Sequence, residues 1–236
     1  MATTLIIAID LGASLTKCFY RWIVNDALAT EGYRTYCSAV QRITRSRYEL
    51  RTYADNSTSL VHFEGEYWGV GENAREAVTN TNLRMPKSRH AIAKILGMVG
   101  QIVREDVALS SKAELHIKLG ILLPLNEMVN AQELSSRIVP LLYGFGHNAD
   151  LIRFDLVHTV HISPEGYGIS KVAKRYPCGV MMLGHKDFTW IYLRTAADSI
   201  SIADSRALQG WGMLKLVRQI SYHFNDELWA AAALYA

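Results

Sequence analysis

The amino-acid sequence predicts an α/β fold in which strands and helices follow one another in mixed order. Short apolar runs of strand length recur along the chain, and several are joined by tight turns that contain glycine. Other segments repeat apolar residues at spacings of three and four, which is typical of amphipathic helices. The 236 residues are 50% hydrophobic and 20% charged, so the chain has enough apolar material for a core, and a disordered or fibrous protein is excluded.

Two hairpins are predicted in the first third of the chain. The apolar run 5–9 ends at Asp10, and after a glycine turn the chain is apolar again over 18–24, which indicates two strands joined by a tight turn. Residues 60–70 repeat this pattern on both sides of Gly65. Between the hairpins, residues 31–58 are polar and rich in arginine, and we expect them to belong to a subdomain inserted at about 31–85 rather than to the main sheet.

Helices and strands alternate in the rest of the chain. A helix is predicted to begin near Pro86, with Ser88 as its cap, because apolar residues follow at helical spacing. The other predicted elements are a strand at 115–122, a helix at 130–142, a strand pair within 151–162, a hairpin of 180–183 with 188–193, a strand at 199–203 and a helix at 208–224. The apolar run 227–236 has no terminating glycine or proline, so the chain is expected to stop inside an element.

Charge and cysteine content limit the class of protein. The net charge is +3, from 25 Lys and Arg residues against 22 Asp and Glu, which is too small to require a nucleic-acid partner. Three cysteines (Cys18, Cys37 and Cys178) argue against a disulfide framework and for a reducing compartment. The N-terminus lacks the positive charge of a signal peptide and no apolar run approaches the ~20 residues of a membrane span, so a cytoplasmic protein is expected.

Residues 10–17 have the chemistry of a phosphate-binding turn. Small residues around Gly12 allow backbone N–H groups to approach phosphate oxygens, and Ser14 and Thr16 add hydroxyl donors. Lys17 supplies a positive charge for a phosphate, and Asp10 can hold hydrated Mg²⁺. A surface hairpin in which Asp10 and Gly12 only make the turn explains the same residues equally well.

This segment resembles the first phosphate-binding motif of the superfamily of actins, sugar kinases and heat-shock ATPases, and in particular that of bacterial actins of the ParM plasmid-segregation type. Five further segments resemble motifs of these proteins in the same order: 68–74, 119–125, 160–168, 179–193 and 205–220. The resemblance implies an actin-like, ribonuclease H-like mixed sheet flanked by helices, and two domains with a cleft between them. The first domain would span 1–174. The second, at 175–236, would be incomplete or reduced, because no candidate for the family's glycine-rich adenosine pocket follows Gly212.

The resemblance also implies a nucleotide-dependent, filament-forming ATPase that acts in plasmid segregation or as a bacterial cytoskeletal element. Its cofactors would be ATP or GTP with Mg²⁺, and its partners would be further copies of itself and a DNA-binding adaptor protein, without direct nucleic-acid binding. Asp10 would organise Mg²⁺ through water, Lys17 would neutralise phosphate and Glu165 would orient the attacking water. The expected nucleotide-binding residues are Gly12, Ser14, Thr16, Lys17, Gly184, Lys186, Asp187 and Gly210.

The sequence departs from the family pattern at Met182, which stands where these proteins usually carry a second metal-binding aspartate. The metal site would then have one carboxylate fewer, unless Asp187 replaces it in part, and hydrolysis would be slowed without loss of nucleotide binding. Two other functions therefore stay open. Small-molecule kinases of the pantothenate type share the opening hairpin, and a non-catalytic binding protein with the actin fold would tolerate Met182.

Two groups of side chains have simpler explanations than a binding site. The arginines between 42 and 51 fit a contact with an acidic partner, DNA or a neighbouring subunit, but a solvated surface is the more common reason for such a cluster. The histidines at 147, 158, 161 and 185 are too scattered in sequence for the short ligand spacings of a zinc site.

Overall fold

The computed structural model describes residues 2–12, 14–50, 58–72, 74, 86–110, 114–173, 175–184, 187–196, 199–213 and 215. These residues contain thirteen strands and four α-helices. The strands are β1 (Ala2–Leu11), β2 (Leu15–Val24), β3 (Ala27–Cys37), β4 (Val40–Arg42), β5 (Thr58–Phe63), β6 (Glu66–Gly71), β7 (Glu114–Leu123), β8 (Phe145–His147), β9 (Asp150–Ile152), β10 (Leu156–Pro164), β11 (Cys178–Leu183), β12 (Asp187–Ala196) and β13 (Ser199–Gln209). The helices are α1 (Arg45–Glu49), α2 (Ala91–Glu105), α3 (Val107–Ser110) and α4 (Ala131–Leu142).

The main sheet has five strands in the order β10-β7-β1-β2-β3. β2 runs antiparallel to both β1 and β3, whereas on the other side of β1 the strands β7 and β10 are added in parallel. β1 is the middle strand of this sheet. Its alternate side chains, at Leu5, Ile7, Ile9 and Leu11, all point into the core and are buried. The predicted α/β fold with a mixed sheet is confirmed.

A second sheet of five strands, in the order β4-β6-β5-β8-β9, joins two distant parts of the chain. The hairpin of β5 and β6 matches the prediction for 60–70, and its turn contains Gly65 at a φ of 75°. β8 pairs with β5 through Val61 and His62, so residues of the 145–152 region complete this sheet.

The helix α2 packs against β1 of the main sheet and against β5, β6 and β8 of the second sheet. All its residues from Ala91 to Val103 are buried, including Lys94 and Gln101, because sheet surrounds it on more than one side. The predicted cap was wrong: α2 begins at Ala91 after a short 3-10 helix, Lys87–His90, and no side chain caps it. The backbone N–H of Ser88 donates instead to Glu127.

Three further predictions differ from the structure. Residues 31–37 belong to β3, which pairs with β2 along the main sheet, so they do not stand apart from it. β9 and β10 lie in different sheets, so residues 151–162 do not form a strand pair. β13 extends to Gln209, which excludes a helix beginning at 208, and residues 214 and 216–224 of that predicted helix lie outside the described residues.

The chain divides into two compact units, residues 1–164 and residues 165–236. The second unit contains an antiparallel sheet of three strands in the order β11-β12-β13. Its hairpin of β11 and β12 is the one predicted for 180–193. The domain boundary expected at 174 to 175 stays a prediction.

Within the part of the chain that the structure describes, no helix combines the length and the apolar character that crossing a bilayer requires.

Candidate functional site

The turn between β1 and β2 holds the first group of predicted site residues. Asp10 faces Lys17 across the two strands, and Leu11 faces Thr16. The turn is so tight that a Cβ atom on Gly12 would lie 2.1 Å from the carbonyl oxygen of Leu15. A residue with a side chain therefore does not fit at this position without a shift of the backbone.

Ser38 fixes the shape of this turn from the neighbouring segment. Its hydroxyl donates to the carbonyl oxygen of Gly12 at 2.6 Å, and its backbone N–H donates to the carbonyl oxygen of Ser14 at 2.9 Å. The hydroxyl of Thr16, which is buried, lies 2.9 Å from the Ser38 hydroxyl in a hydrogen bond. Thr16 is thus engaged in holding the turn together, while Ser14 is exposed. Ser38 was not predicted, because nothing near it in sequence marks it as part of the turn.

Asp10 and Lys17 alternate with the core-facing side chains of their strands and lie on the opposite face of the hairpin. Lys17 is exposed. The Oδ1 atom of Asp10 is buried, and no described residue gives it a hydrogen bond. A buried acceptor without a partner is uncommon in proteins, and a carboxylate oxygen of this kind is suited to a hydrated Mg²⁺ ion or to a bound donor group.

Glu165 begins the second unit and lies in the turn that follows β10. The next residue, Gly166, has a φ of 79°, which favours glycine, and it precedes a 3-10 helix, Tyr167–Lys171. A Cβ atom on Gly166 would lie 2.6 Å from the sulfur of Met182. Met182 therefore packs directly on the turn of Glu165 and Gly166, here called the glutamate turn, which gives Met182 a structural role.

The turn between β11 and β12 holds most of the remaining predicted residues. The backbone N–H of Gly184 donates to the carbonyl oxygen of Asp187 at 2.8 Å, and the carbonyl oxygen of Gly184 accepts from the backbone N–H of Met213 at 2.9 Å. The Oδ1 atom of Asp187 is buried and, within the described ranges, has no hydrogen-bond partner. Gly210 follows β13 with a φ of 75°. Lys186 lies outside the described residues.

The predicted site residues thus fall into two groups, one in each unit. Asp10, Gly12, Ser14, Thr16 and Lys17 come together in the first unit, and Gly184 and Asp187 come together in the second. In each hairpin turn a glycine close to backbone atoms is accompanied by an aspartate with one buried oxygen to which no described side chain or backbone group donates. Such turns can present backbone N–H groups to phosphate oxygens and a carboxylate to a hydrated cation.

Two described arginines of the 42–51 cluster form ion pairs within the chain. Arg42 pairs with Glu66 at 3.0 Å, and Arg45 pairs with Glu49 at 2.6 Å within one turn of α1. All four side chains are substantially exposed, so these pairs fit a solvated surface.

Comparison with known proteins was informative only at the level of structure. No protein-family model matches the sequence, and no curated protein matches it either. The chain is similar to the filament structure of AlfA from the B. subtilis plasmid pLS32, with a TM-score of 0.63 and 19% identity over 92% of this chain and 78% of that chain. An AlfA filament bound to AMPPNP gives a TM-score of 0.59, 19% identity and coverage of 94% of this chain and 76% of that one.

The chain is also similar to Ta0583, an archaeal actin homolog, with a TM-score of 0.61 and 15% identity over 98% of this chain and 71% of that chain. The strand order of the main sheet and these likenesses agree with each other. The chain has the actin-like fold.

Proposed function

We propose that this chain binds a nucleoside triphosphate together with Mg²⁺ and assembles into filaments in a nucleotide-dependent manner. The observation that carries the proposal is the buried Oδ1 atom of Asp10, which has no hydrogen-bond partner among the residues that the structure describes and lies across the hairpin from Lys17 beside a turn that only glycine fits. An anion with a bound cation satisfies both side chains, whereas a purely structural turn leaves the carboxylate oxygen without a partner.

The residues of the first turn have different parts in this proposal, and Ser14, which is exposed, adds a hydroxyl donor for phosphate. Asp10 accepts hydrogen bonds from water molecules around the cation, and Lys17 donates to a phosphate oxygen. The absence of a side chain at Gly12 leaves room for phosphate against the backbone. Thr16 and Ser38 hold the turn in this shape. Mg²⁺, when bound, supplies charge neutralisation between phosphate groups.

The second unit contributes the residues of the β11–β12 turn and of the glutamate turn. We assign phosphate contacts to Gly184, Lys186, Asp187 and Gly210, and orientation of the attacking water to Glu165. The buried Oδ1 atom of Asp187, which no described residue hydrogen-bonds, supports its part as the second carboxylate. Because Met182 packs on the glutamate turn and has no charge, we propose that hydrolysis is slow relative to binding.

Filament formation is proposed from the fold and from the character of the neighbours. AlfA forms filaments, and one of its structures is a filament bound to AMPPNP. A role in plasmid segregation or as a cytoplasmic cytoskeletal element follows from this likeness. A separate adaptor protein would provide DNA binding, because the net charge of +3 gives the chain little affinity of its own for DNA.

Sedimentation tests the proposal directly. The purified chain is centrifuged over a concentration series with ATP and Mg²⁺, with AMPPNP and Mg²⁺, and without nucleotide. We expect pelleting above a threshold concentration only with nucleotide, and pelleting with AMPPNP would show that binding suffices. Absence of pelleting under all three conditions would contradict the filament proposal, and transfer of phosphate to a small molecule would favour a kinase instead.

Substitutions in the first turn test whether assembly depends on nucleotide binding there. Asp10→Asn and Lys17→Ala should each weaken nucleotide binding and raise the assembly threshold. Arg21→Ala is the matched control: Arg21 lies on the same face of β2, is half exposed and pairs with Glu31 at 2.8 Å. The control should behave like the unsubstituted chain, because an exposed ion pair contributes little.

A further inference from the structure

Two histidines lie side by side on the main sheet, away from the turns described above. The Nε2 atom of His158 in β10 lies 3.3 Å from the Nδ1 atom of His116 in β7. The two rings are nearly perpendicular, at 77°, with their centres 5.0 Å apart. The two imidazole nitrogens, from neighbouring strands, form a hydrogen bond in which one ring donates and the other accepts.

A β-bulge brings His158 into this position. Val157 pairs with Ile117 and Thr159 pairs with Lys118, so His158 is an extra residue with no partner in β7. Val157 and Val160 both pack against the core, although an unbroken strand would place residues three apart on opposite faces. The bulge turns His158 outward beside His116, and bulges commonly redirect a side chain in this way.

The distance between the nitrogens suits a shared metal ion. A tetrahedral ion with metal–nitrogen distances of about 2.0–2.1 Å holds two ligand nitrogens about 3.3–3.4 Å apart. The carboxylate of Glu114 lies 3.8 Å from Nε2, the other ring nitrogen of His116. A proton on Nε2 faces this negative charge, and Nδ1 then keeps a lone pair that accepts the hydrogen bond from His158 or binds a metal ion once both facing nitrogens are unprotonated.

We propose that His116 and His158 form a binding site for a divalent transition-metal ion of the zinc, nickel or copper type, with water as the remaining ligands. Imidazole nitrogen is a preferred ligand of these ions and a poor one for Mg²⁺ or Ca²⁺. No set of three or more His, Cys, Asp or Glu side chains in the described ranges is placed to hold a metal, so the site has two protein ligands and is open to solvent. A metal bound here would link β7 to β10.

Titration calorimetry with Zn²⁺ tests the proposal on the full chain, purified without a histidine tag and measured with excess Mg²⁺. We expect one bound Zn²⁺. Its affinity should fall in His116→Gln and in His158→Gln by more than the roughly 10–100-fold that loss of an outer-shell partner costs. His161→Gln is the control, because His161 is an exposed residue of the same strand that pairs with Gly120 instead. Absence of zinc binding, or equal binding by the unsubstituted chain and both variants, would overturn the proposal.

A measurement on the unsubstituted chain covers the case in which a variant does not fold. Ni²⁺ is paramagnetic, and it should broaden the imidazole NMR signals of His116 and His158 before those of the other histidines. Broadening that begins at other histidines would refute the site. Zn²⁺ should also raise the unfolding temperature of the unsubstituted chain, because an ion that binds only the folded state stabilises it.

Discussion

At the scale of single residues, the shape of the first turn depends on the absence of a side chain at Gly12. We expect Gly12→Ala to destabilise the chain by about 1–3 kcal/mol, because its Cβ atom would meet a backbone oxygen that cannot rotate away. Nucleotide binding should weaken at the same time. Urea unfolding and a binding titration measure the two effects. Gly144→Ala is the control, since a Cβ atom there meets nothing within 4 Å, and equal destabilisation of both variants would contradict the assignment.

His147 makes stability depend on pH. It is fully buried, its Nε2 atom lies 3.1 Å from the hydroxyl of Ser59, and burial together with the positive charge of Arg104 lowers its pKa from 6.5 to about 3. Below pH 6.5 the unfolded chain therefore binds a proton at this site that the folded chain does not. The contribution of His147 is complete above pH 6.5 and is lost as the pH falls from there toward 3, by about 1.4 kcal/mol per pH unit.

Urea unfolding at pH 7 and pH 5 measures this dependence. His147→Gln should lower stability at pH 7 but should lose less stability between the two pH values than the unsubstituted chain. His161→Gln, which removes an exposed histidine, should leave the pH dependence as it is. An unchanged pH dependence in His147→Gln would show that this histidine does not titrate between the folded and unfolded states.

The sequence identified some of these residues and missed others for a physical reason. Asp10, Gly12 and Lys17 were found because the chemistry of a turn lies in a few consecutive residues. Ser38 and the pair of His116 with His158 depend on contacts between distant segments. Short ligand spacings in a sequence do not reveal two side chains that neighbouring strands bring together, as β7 and β10 do for His116 and His158.

At the scale of elements, α2 offers a comparison of two glycines in one helix. A Cβ atom on Gly97 would lie 3.4 Å from Cβ of Ser59, an ordinary contact, whereas on Gly100 it would lie 2.3 Å from the ring of His147. We expect Gly97→Ala to be neutral or to stabilise by up to about 1 kcal/mol, because alanine favours helix. Gly100→Ala should destabilise by about 1–3 kcal/mol. The urea unfolding midpoints of the two variants at pH 7 measure these changes in stability. Destabilisation of both variants by similar amounts would contradict the packing described for α2.

The C-terminal end of α2 is stabilised by hydrogen bonds from two strands of the main sheet. Glu105 and Asp106 place negative charge where the helix dipole disfavours it. Arg34 of β3 donates to Glu105 at 2.8 Å, and the indole N–H of Trp22 in β2 donates to Asp106 at 2.7 Å. These two hydrogen bonds offset the unfavourable charges and attach the end of the helix to the main sheet.

Helices and strands were predicted correctly where apolar residues recur regularly in the sequence. They were missed where exposure or a bulge removes that regular pattern. The strand at 115–122 was predicted because its sequence is rich in apolar residues, and the structure shows that these residues are largely buried. β3 was assigned to an inserted subdomain because it is an edge strand in which only Tyr36 is buried, so its sequence has no apolar alternation. The bulge in β10 likewise breaks the two-residue period that identifies a strand.

At the scale of the whole molecule, the proposal makes assembly depend on nucleotide binding and not on nucleotide hydrolysis. We expect Glu165→Gln to abolish phosphate release while nucleotide-dependent pelleting remains, because the amide cannot accept a proton or orient water as the carboxylate does. Glu49→Gln is the control, since Glu49 is exposed in α1 and pairs with Arg45. Unchanged phosphate release by Glu165→Gln would instead indicate a non-catalytic protein with the actin fold.

The fold of the whole molecule was predicted from motifs in order along the chain rather than from any one of them. The opening hairpin alone is equally consistent with an ordinary turn, whereas the order of the six segments restricts the architecture. The structure then agrees with AlfA and Ta0583 at 19% and 15% identity, where sequence comparison alone has little signal.

The strand order of the main sheet has a consequence for how the chain folds during synthesis. The hairpin of β1 and β2 involves neighbouring segments and can form as soon as both leave the ribosome. The other side of β1 stays open until β7 has been made far along the chain, and β7 in turn waits for β10, because both pairings are parallel and non-local. We therefore expect the first unit to fold late and slowly, as topologies rich in non-local pairing do, with the apolar edge of β1 as the surface that chaperones would protect.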